Sequence, residues 1–463
     1  MIGSITALLA AALCWFGTGL HPLWFLTWLA PLPVLWYARM ASWRATALVA
    51  FAAWFAGSFN MWGYAHGLVG LPIPAILFFF ATPAVVFALA VLAWRREMPA
   101  GRAWRAALLP PLIWVAYEYL ATITSPHATF GSLAYTQMDC LPVVQIASLT
   151  GIYGISFLVW LAPSALATRR WQVMAAAGGV IAAALGFGAW RLHSGTEGSM
   201  EVALIASDAP QDRWAKNGQE ALAILSRYAA QVQPQPRQHI EIVVLPEDLG
   251  PVPNSALGQA RAILSDAARR AGVELVAGLR VGQTPPMLNE ALVFGPDGTL
   301  EAAYEKHHLI PGLEDGIVAG SQIVTAPGRL GTLGVQICKD LDFPALSREY
   351  GRRGVGLLLV PAWDFSADGW LHGRMAVLRG VENGFAVARA ARNGLLTLST
   401  SRGLVTLQRA TSRAGFVVAE GAIREDHEDT LYTRAGDWFA WVSIAALAIL
   451  LSCGWRRRAD LVR

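Results

Sequence analysis

The chain has 463 residues, 55% hydrophobic and 15% charged, with a formal net charge of +4 and a mean hydropathy of +0.42. A soluble domain carries roughly 25% charged residues, so this composition excludes a disordered protein, a basic nucleic-acid binder and a small disulfide scaffold. Of 68 charged side chains only 11 precede residue 191, which predicts a membrane part followed by a water-soluble part.

A helix needs about 20 apolar residues to cross the ~30 Å hydrocarbon core. Seven such runs precede residue 192, at roughly 3–20, 22–38, 46–64, 73–94, 106–122, 144–167 and 172–190. An eighth lies near 437–454. Arg39 and Arg44 follow the second run, Arg95, Arg96, Arg102 and Arg105 the fourth, Arg169 and Arg170 the sixth, and Arg456 to Arg458 the eighth. Odd-numbered exits before the large domain lack Arg and Lys. Basic loops stay in the cytoplasm, so both termini are expected there. The expected domains are residues 1–191 with seven transmembrane helices, 192–436 outside the cytoplasmic membrane, and 437–463 with the eighth helix and a basic tail. The first run has no basic leader and another apolar run follows at once, so it does not read as a cleaved signal peptide.

The loop 123–143, with SPHATFGSLAYTQMDCLPV, falls on the outer side in this reading. Glu118 lies within the fifth run. A carboxylate at membrane depth is costly and faces a polar interior, so Glu118 is either functional or a structural anchor.

Residues 199–430 have an α/β rhythm. Apolar runs at 200–206, 240–246, 273–279, 333–338, 355–361 and 385–391 read as strands. Stretches at 216–231, 255–271, 344–353 and 370–383 read as helices. Continuous apolar strands indicate sheets covered on both faces.

Three strand ends carry unusual chemistry. IEIVVLP runs into Glu247, AAYEK ends at Lys306, and LGVQIC ends at Cys338. Taken singly, Glu247 also reads as a cap or surface ion pair, Lys306 as a solvated cation and Cys338 as an inert core residue. Together they are the three groups that activated-thiol catalysis needs. A free thiol ionises near pH 8.5. A carboxylate can take its proton, and an ammonium can stabilise thiolate and oxyanion. Only three of the 36 basic residues are Lys: Lys216, Lys306 and Lys339. A compositional preference for Arg accounts for this rarity, and against it one of the three Lys is a candidate for a role that Arg cannot serve. Four cysteines, Cys14, Cys140, Cys338 and Cys453, show no zinc spacing, so no metal or cofactor is implied. A Cys140–Cys338 bridge is formally possible.

At these residues the chain resembles the nitrilase (carbon–nitrogen hydrolase) superfamily, whose members share a Glu-Lys-Cys triad. VVLPED supplies Glu247, YEKHHLIP supplies Lys306 and GVQICKDLDFP supplies Cys338. With its flanking apolar runs it resembles the membrane-embedded apolipoprotein N-acyltransferase family. The LAYTQ stretch (133–137), LPVVQIA, GIYGISFLVWL and RGVENGFAVARAARNG (379–394, with Arg379, Glu382 and Asn393) are similar to that family. The resemblance implies an αββα sandwich held by about eight transmembrane helices in a bacterial inner membrane, with the sandwich on the periplasmic side. It implies an acyltransferase in which Cys338 attacks a phospholipid ester, Glu247 is base and acid, and Lys306 holds the oxyanion. Glu314 supports the site, and the acceptor is the N-terminal diacylglyceryl-cysteine of a lipoprotein. No nucleic-acid partner is implied. The chain departs from the family where Lys339-Asp340 follows Cys338 in place of Tyr-Glu, at Pro311-Gly312-Leu313-Glu314 in place of Pro-Phe-Gly-Glu, and at Pro361-Ala362-Trp363-Asp364-Phe365. These changes motivate one alternative, a membrane-anchored hydrolase or acyltransferase with another amine or amide substrate; a further alternative, a scaffold with an inactive domain, is opposed by the intact triad.

Overall fold

A computed structural model describes residues 1–193, 200–233, 240–328, 331–424 and 427–462. The chain divides into two compact units, Met1–Ser194 with Ala435–Arg463, and Gly195–Arg434.

The first unit is helical. Among the described residues four helices are long and apolar enough to cross a membrane: Trp43–Leu68, Ile73–Glu97, Ala103–Thr124 and Trp171–His193. The apolar helices Ile2–Gly17, Leu141–Thr150, Ile152–Thr168 and Trp438–Ser452 are shorter. The second run is broken into Trp24–Leu29 and Leu32–Ala38, with Pro31 at the N-cap of the latter. Pro31 and Pro33 lack the N–H that an unbroken helix would use. The sixth run breaks at Gly151, whose φ of 65° and ψ of −167° end one helix and start the next.

Several arginines that mark the even-numbered exits meet at one end of this unit. Arg39 donates to the Ala167 carbonyl at 2.9 Å, Arg95 to the Ala41 carbonyl, and Arg105 to both Glu97 (2.9 Å) and the Leu450 carbonyl. The side chains of Arg456 to Arg458 and Cys453 lie outside those described. Glu118 is buried and accepts from Trp114 (3.0 Å), Ser132 (3.0 Å), the Leu133 amide (2.8 Å) and Ser156 (2.6 Å). Four donors from two helices and a loop satisfy a carboxylate fully, which makes it an anchor for the loop.

The second unit contains thirteen described strands: β1 (Met200–Ser207), β2 (Ile240–Val244), β3 (Leu249–Val252), β4 (Glu274–Val281), β5 (Leu288–Phe294), β6 (Leu300–Glu305), β7 (Thr325–Pro327), β8 (Thr332–Val335), β9 (Val355–Trp363), β10 (Ala386–Arg392), β11 (Leu395–Ser399), β12 (Val405–Ala410) and β13 (Phe416–Ile423). They form two sheets, ordered β13-β1-β2-β4-β5-β6 (β3 also on β4) and β12-β11-β10-β9-β8-β7. The strands at the centre of each sheet are parallel and the outer pairs antiparallel.

Alternate residues of the central strands point to opposite faces, and both faces are covered. Val202, Leu204, Ile242, Val244 and Val276 meet Leu333, Val335, Leu357, Leu359 and Ala388 between the sheets. The other face of the first sheet packs on helices Gly218–Ala229 and Leu257–Ala271 through Ile224, Leu225, Leu264 and Ala268. The other face of the second sheet packs on Pro344–Arg352 and Gly369–Asn383 through Leu346, Tyr350 and Ala376. The unit is an αββα sandwich, as the continuous apolar strands require. The antiparallel outer strands β5, β11, β12 and β13 were not legible as apolar runs: β5 and β11 carry polar residues that are buried (Asn289 and Glu290; Thr397 and Ser399), β12 is largely exposed and β13 is interrupted by Glu420 and Gly421.

Candidate active site

Glu247, Lys306 and Cys338 lie just past the ends of β2, β6 and β8. All three are buried: Glu247 is 3% exposed, Lys306 1% and Cys338 6%. β2 stops at Val244, and Pro246 cannot extend a ladder, so the chain turns and presents Glu247. Its amide donates to the Ala362 carbonyl of β9 at 3.3 Å, a bond from one sheet to the other. Gly278 of β4 makes this close approach possible: a Cβ there would stand 2.6 Å from the Glu247 Cα.

Lys306 is the residue after β6. Its Nζ donates to Glu247 Oε1 at 2.8 Å and to both oxygens of Glu314 at 3.0 Å. Burial works against the ammonium charge, but Glu247 and Glu314 outweigh it and hold the pKa of Lys306 above its ordinary value. Lys306 is therefore a fixed cation. Glu314 is positioned by the Ile310 amide, which donates to it at 2.7 Å.

Cys338 opens a short 3-10 turn, Cys338–Asp342, with φ of 43°. A non-glycine residue in that region is strained and is held there by its surroundings. Asp340 does much of the holding. Its carboxylate accepts from the Ile337 amide (3.2 Å), the Tyr304 hydroxyl (2.7 Å) and the His308 amide (2.9 Å). The thiol faces the Trp363 carbonyl at 3.5 Å. Burial pushes its pKa well up and Glu247 adds to this; Lys306 and Arg389 act in the opposite direction. A thiol raised in this way needs a base to take its proton before it attacks.

The structure brings the three strand-end residues and Glu314 into one cluster. Asn289 was missed from the sequence. Its Nδ2 donates to Glu247 Oε1 at 2.8 Å and to Glu314 Oε1 at 3.1 Å, and its carbonyl accepts from the Lys306 amide at 2.9 Å. Nothing in the local pattern of β5 singles it out. The buried Asp364–Arg389 pair (2.9 Å) was also missed. Lys339 is buried, with Nζ 3.4 Å from Asp342 and 5.9 Å above the Phe343 ring. Lys216 is exposed, with its amide bonded to Glu220. Cys14, Cys140 and Cys338 are all free thiols. Among the described residues no group of His, Cys, Asp and Glu is arranged to hold a metal ion. A buried thiol beside a carboxylate and an ammonium can form and resolve a thioester.

Residues 204–435 match the carbon–nitrogen hydrolase family model, and residues 10–165 match the N-terminal domain of apolipoprotein N-acyltransferase. The chain is 29% identical over 398 residues to apolipoprotein N-acyltransferase of Geobacter metallireducens, covering 75% of this chain and 74% of the relative. It is 26% identical over 443 residues to that of Bradyrhizobium diazoefficiens, covering 84% and 79%. Among solved structures it is similar to an amidase from Nesterenkonia sp., at 24% identity and a TM-score of 0.39 over 50% of this chain and 93% of that one.

Proposed function

The chain belongs to the carbon–nitrogen hydrolase family and carries the N-terminal domain of apolipoprotein N-acyltransferases, and on that footing we propose that it is an acyltransferase that completes the acylation of bacterial lipoproteins. The observation that carries the chemistry is the buried contact of Lys306 with Glu247 at 2.8 Å in one cluster with the buried Cys338 thiol.

In the first half-reaction the Cys338 sulfur attacks an ester carbonyl of a phospholipid and its proton passes to Glu247. Lys306 and Asn289 both donate to Glu247 Oε1, which leaves Oε2 as the proton acceptor. The carbonyl oxygen becomes an oxyanion, and the Lys306 ammonium stabilises it. Collapse breaks the ester C–O bond. Glu247 returns the proton to the leaving alcohol, a lysophospholipid, and the acyl group stays on sulfur as a thioester. In the second half-reaction the α-amine of a diacylglyceryl-cysteine attacks the thioester and gives a proton to Glu247. The thiolate leaves and is reprotonated from Glu247. Glu314 keeps Lys306 in place throughout.

The apolar helices of the first unit support a setting at a bilayer for this chemistry. Eight membrane segments, cytoplasmic termini and an extracytoplasmic sandwich over residues 192–436 follow from the basic loops, with the broken second and sixth runs counted as spans. This puts the site on the side of the inner membrane where both lipid substrates reside. A different amine or amide acceptor is not favoured, because the relatives named for N-acyl transfer to lipoproteins align over most of the chain.

Incubating the purified protein with acyl-labelled phosphatidylethanolamine and a diacylated lipopeptide tests the reading. Label should pass first to the protein and then to the peptide amine. Acyl release to water alone, with no peptide product, would refute the transferase reading.

A further inference from the structure

The mechanism above makes no use of Arg392, yet this side chain is 1% exposed and sits between the two halves of the site. Its Nη2 donates to the Asp248 carbonyl at 2.8 Å, and Asp248 is the residue after Glu247. Its Nη1 donates to the Arg213 carbonyl at 2.8 Å. Its guanidinium lies 3.9 Å over the ring of Trp363, the residue whose carbonyl faces the Cys338 thiol at 3.5 Å. The Asp248 carboxylate is 3.8 Å from Arg392 on one side and 2.7 Å from Arg280 of β4 on the other. One planar cation thus touches the neighbour of the carboxylate and the partner of the thiol.

We propose that Arg392, stacked on Trp363, is a positioning residue that sets the spacing between Glu247 and Cys338. The assignment rests on Glu247 and Cys338 being base and nucleophile. The geometry uses what distinguishes arginine. Two donors of the fork reach two carbonyls while the flat face stacks on an indole, and a lysine ammonium cannot do both. The stack fixes the Trp363 plane at the end of β9, and the Asp248 bond fixes the turn after β2. The Glu247 amide already bonds to Ala362, one residue before Trp363. The clamp therefore closes a short loop of contacts: Glu247, Asp248, Arg392, Trp363, Ala362. Misplacing reacting groups by about 1 Å can cost on the order of 100-fold in rate.

The test uses the full-length protein in detergent and two readouts. One is single-turnover acylation of Cys338 by phosphatidylethanolamine, followed by intact mass. The other is alkylation of Cys338 by chloroacetamide, which needs no lipid substrate. Arg392→Lys and Arg392→Met should slow acylation by about 10- to 100-fold, without changing the phospholipid concentration for half-maximal rate. Trp363→Phe keeps a ring face for the guanidinium and should stay within about threefold, whereas Trp363→Leu should match the Arg392 variants. Arg392→Lys with Trp363→Leu should be no slower than either alone, because the two act as one unit. An Arg392→Lys protein that melts like wild type and acylates within threefold of it would overturn the proposal, as would multiplicative losses in the double variant. If Arg392→Met does not fold, the Trp363 pair decides. Wild-type protein that alkylates at Cys338 but takes no acyl group from phospholipid would sink the donor assignment instead; Arg392→Lys should then still slow alkylation, and an unchanged alkylation rate would overturn the clamp.

Discussion

The Tyr304 hydroxyl donates to Asp340 Oδ2 at 2.7 Å. Tyr304 stands two residues before Lys306 and Asp340 two residues after Cys338, so one hydrogen bond ties the strand that ends at the cation to the turn that carries the thiol. The His308 amide, on the other side of Lys306, donates to the same carboxylate at 2.9 Å. Tyr304→Phe should therefore destabilise the protein by about 1.5–3 kcal/mol, the range for a hydrogen bond to a charged group. Thermal unfolding and single-turnover acylation check this. An unchanged melting temperature would mean that the bond holds nothing.

Cys338→Ala and Cys338→Ser should remove activity and leave the protein folded. The sulfur is the nucleophile suited to a thioester in this cluster, and neither replacement adds volume to the turn. Mass spectrometry after incubation with phospholipid should find the acyl adduct on Cys338. An adduct on Cys140, or turnover by Cys338→Ala, would refute the assignment.

Lys306→Arg should be nearly as damaging as Lys306→Ala, although it keeps the charge. The ammonium is 1% exposed and sits within 3.0 Å of three carboxylate oxygens. A guanidinium is larger and planar and does not fit that space. Loss of an oxyanion donor costs roughly 100- to 1000-fold. Lys216→Arg is the control and should be near neutral, because that side chain is exposed. Turnover of both variants on one phospholipid donor decides the matter; near wild-type rates for Lys306→Arg would reduce Lys306 to a general positive charge.

His372 provides a pH signature. Its imidazole is 3.1 Å from Asp368 and 4.0 Å from Asp342. Burial opposes its charge, but Asp368, Asp342 and Asp364 outweigh it and raise its pKa to about 9, against about 6.5 for a free histidine. A group whose folded pKa is raised contributes stability that is complete below the unfolded value and is lost as pH rises through the folded value. The melting temperature should fall between about pH 6.5 and pH 9 for this reason. His372→Gln should melt lower at neutral pH and lose most of that dependence. Parallel curves for the two proteins would point to a different group.

Reporter fusions after Arg170 and after Arg191 should report opposite sides of the membrane. The basic exits motivate this, and so does the meeting of Arg39, Arg95 and Arg105 with Ala167, Ala41 and Leu450 at one end of the helical unit. The same side for both fusions would refute the topology.

What the sequence determined by itself is local in origin. Hydropathy runs, basic exits and apolar strands depend on neighbours a few residues apart; Glu247 and Cys338 stand out because each trails an apolar strand, whereas Lys306 trails the largely exposed β6 and stands out as one of three Lys in an Arg-rich chain. The breaks in the helical unit were less legible: Pro31 and Gly151 interrupt runs whose hydropathy is continuous, and hydropathy does not register a missing N–H or a left-handed φ. Only the tertiary structure chose the partners of the site. Glu290 pairs with Glu305 in the antiparallel β5–β6 ladder, and that register alone sets Asn289 against Lys306. Stacking of one sheet on the other brings the turn after β2 to the end of β9 and lets Arg392 reach both. Asp340 became the link between cation and thiol because β6 and the turn after β8 converge, 36 residues apart in the chain. Register and sheet stacking are set by the summed fit of many buried side chains, so residues chosen by them carry no mark in their own local sequence.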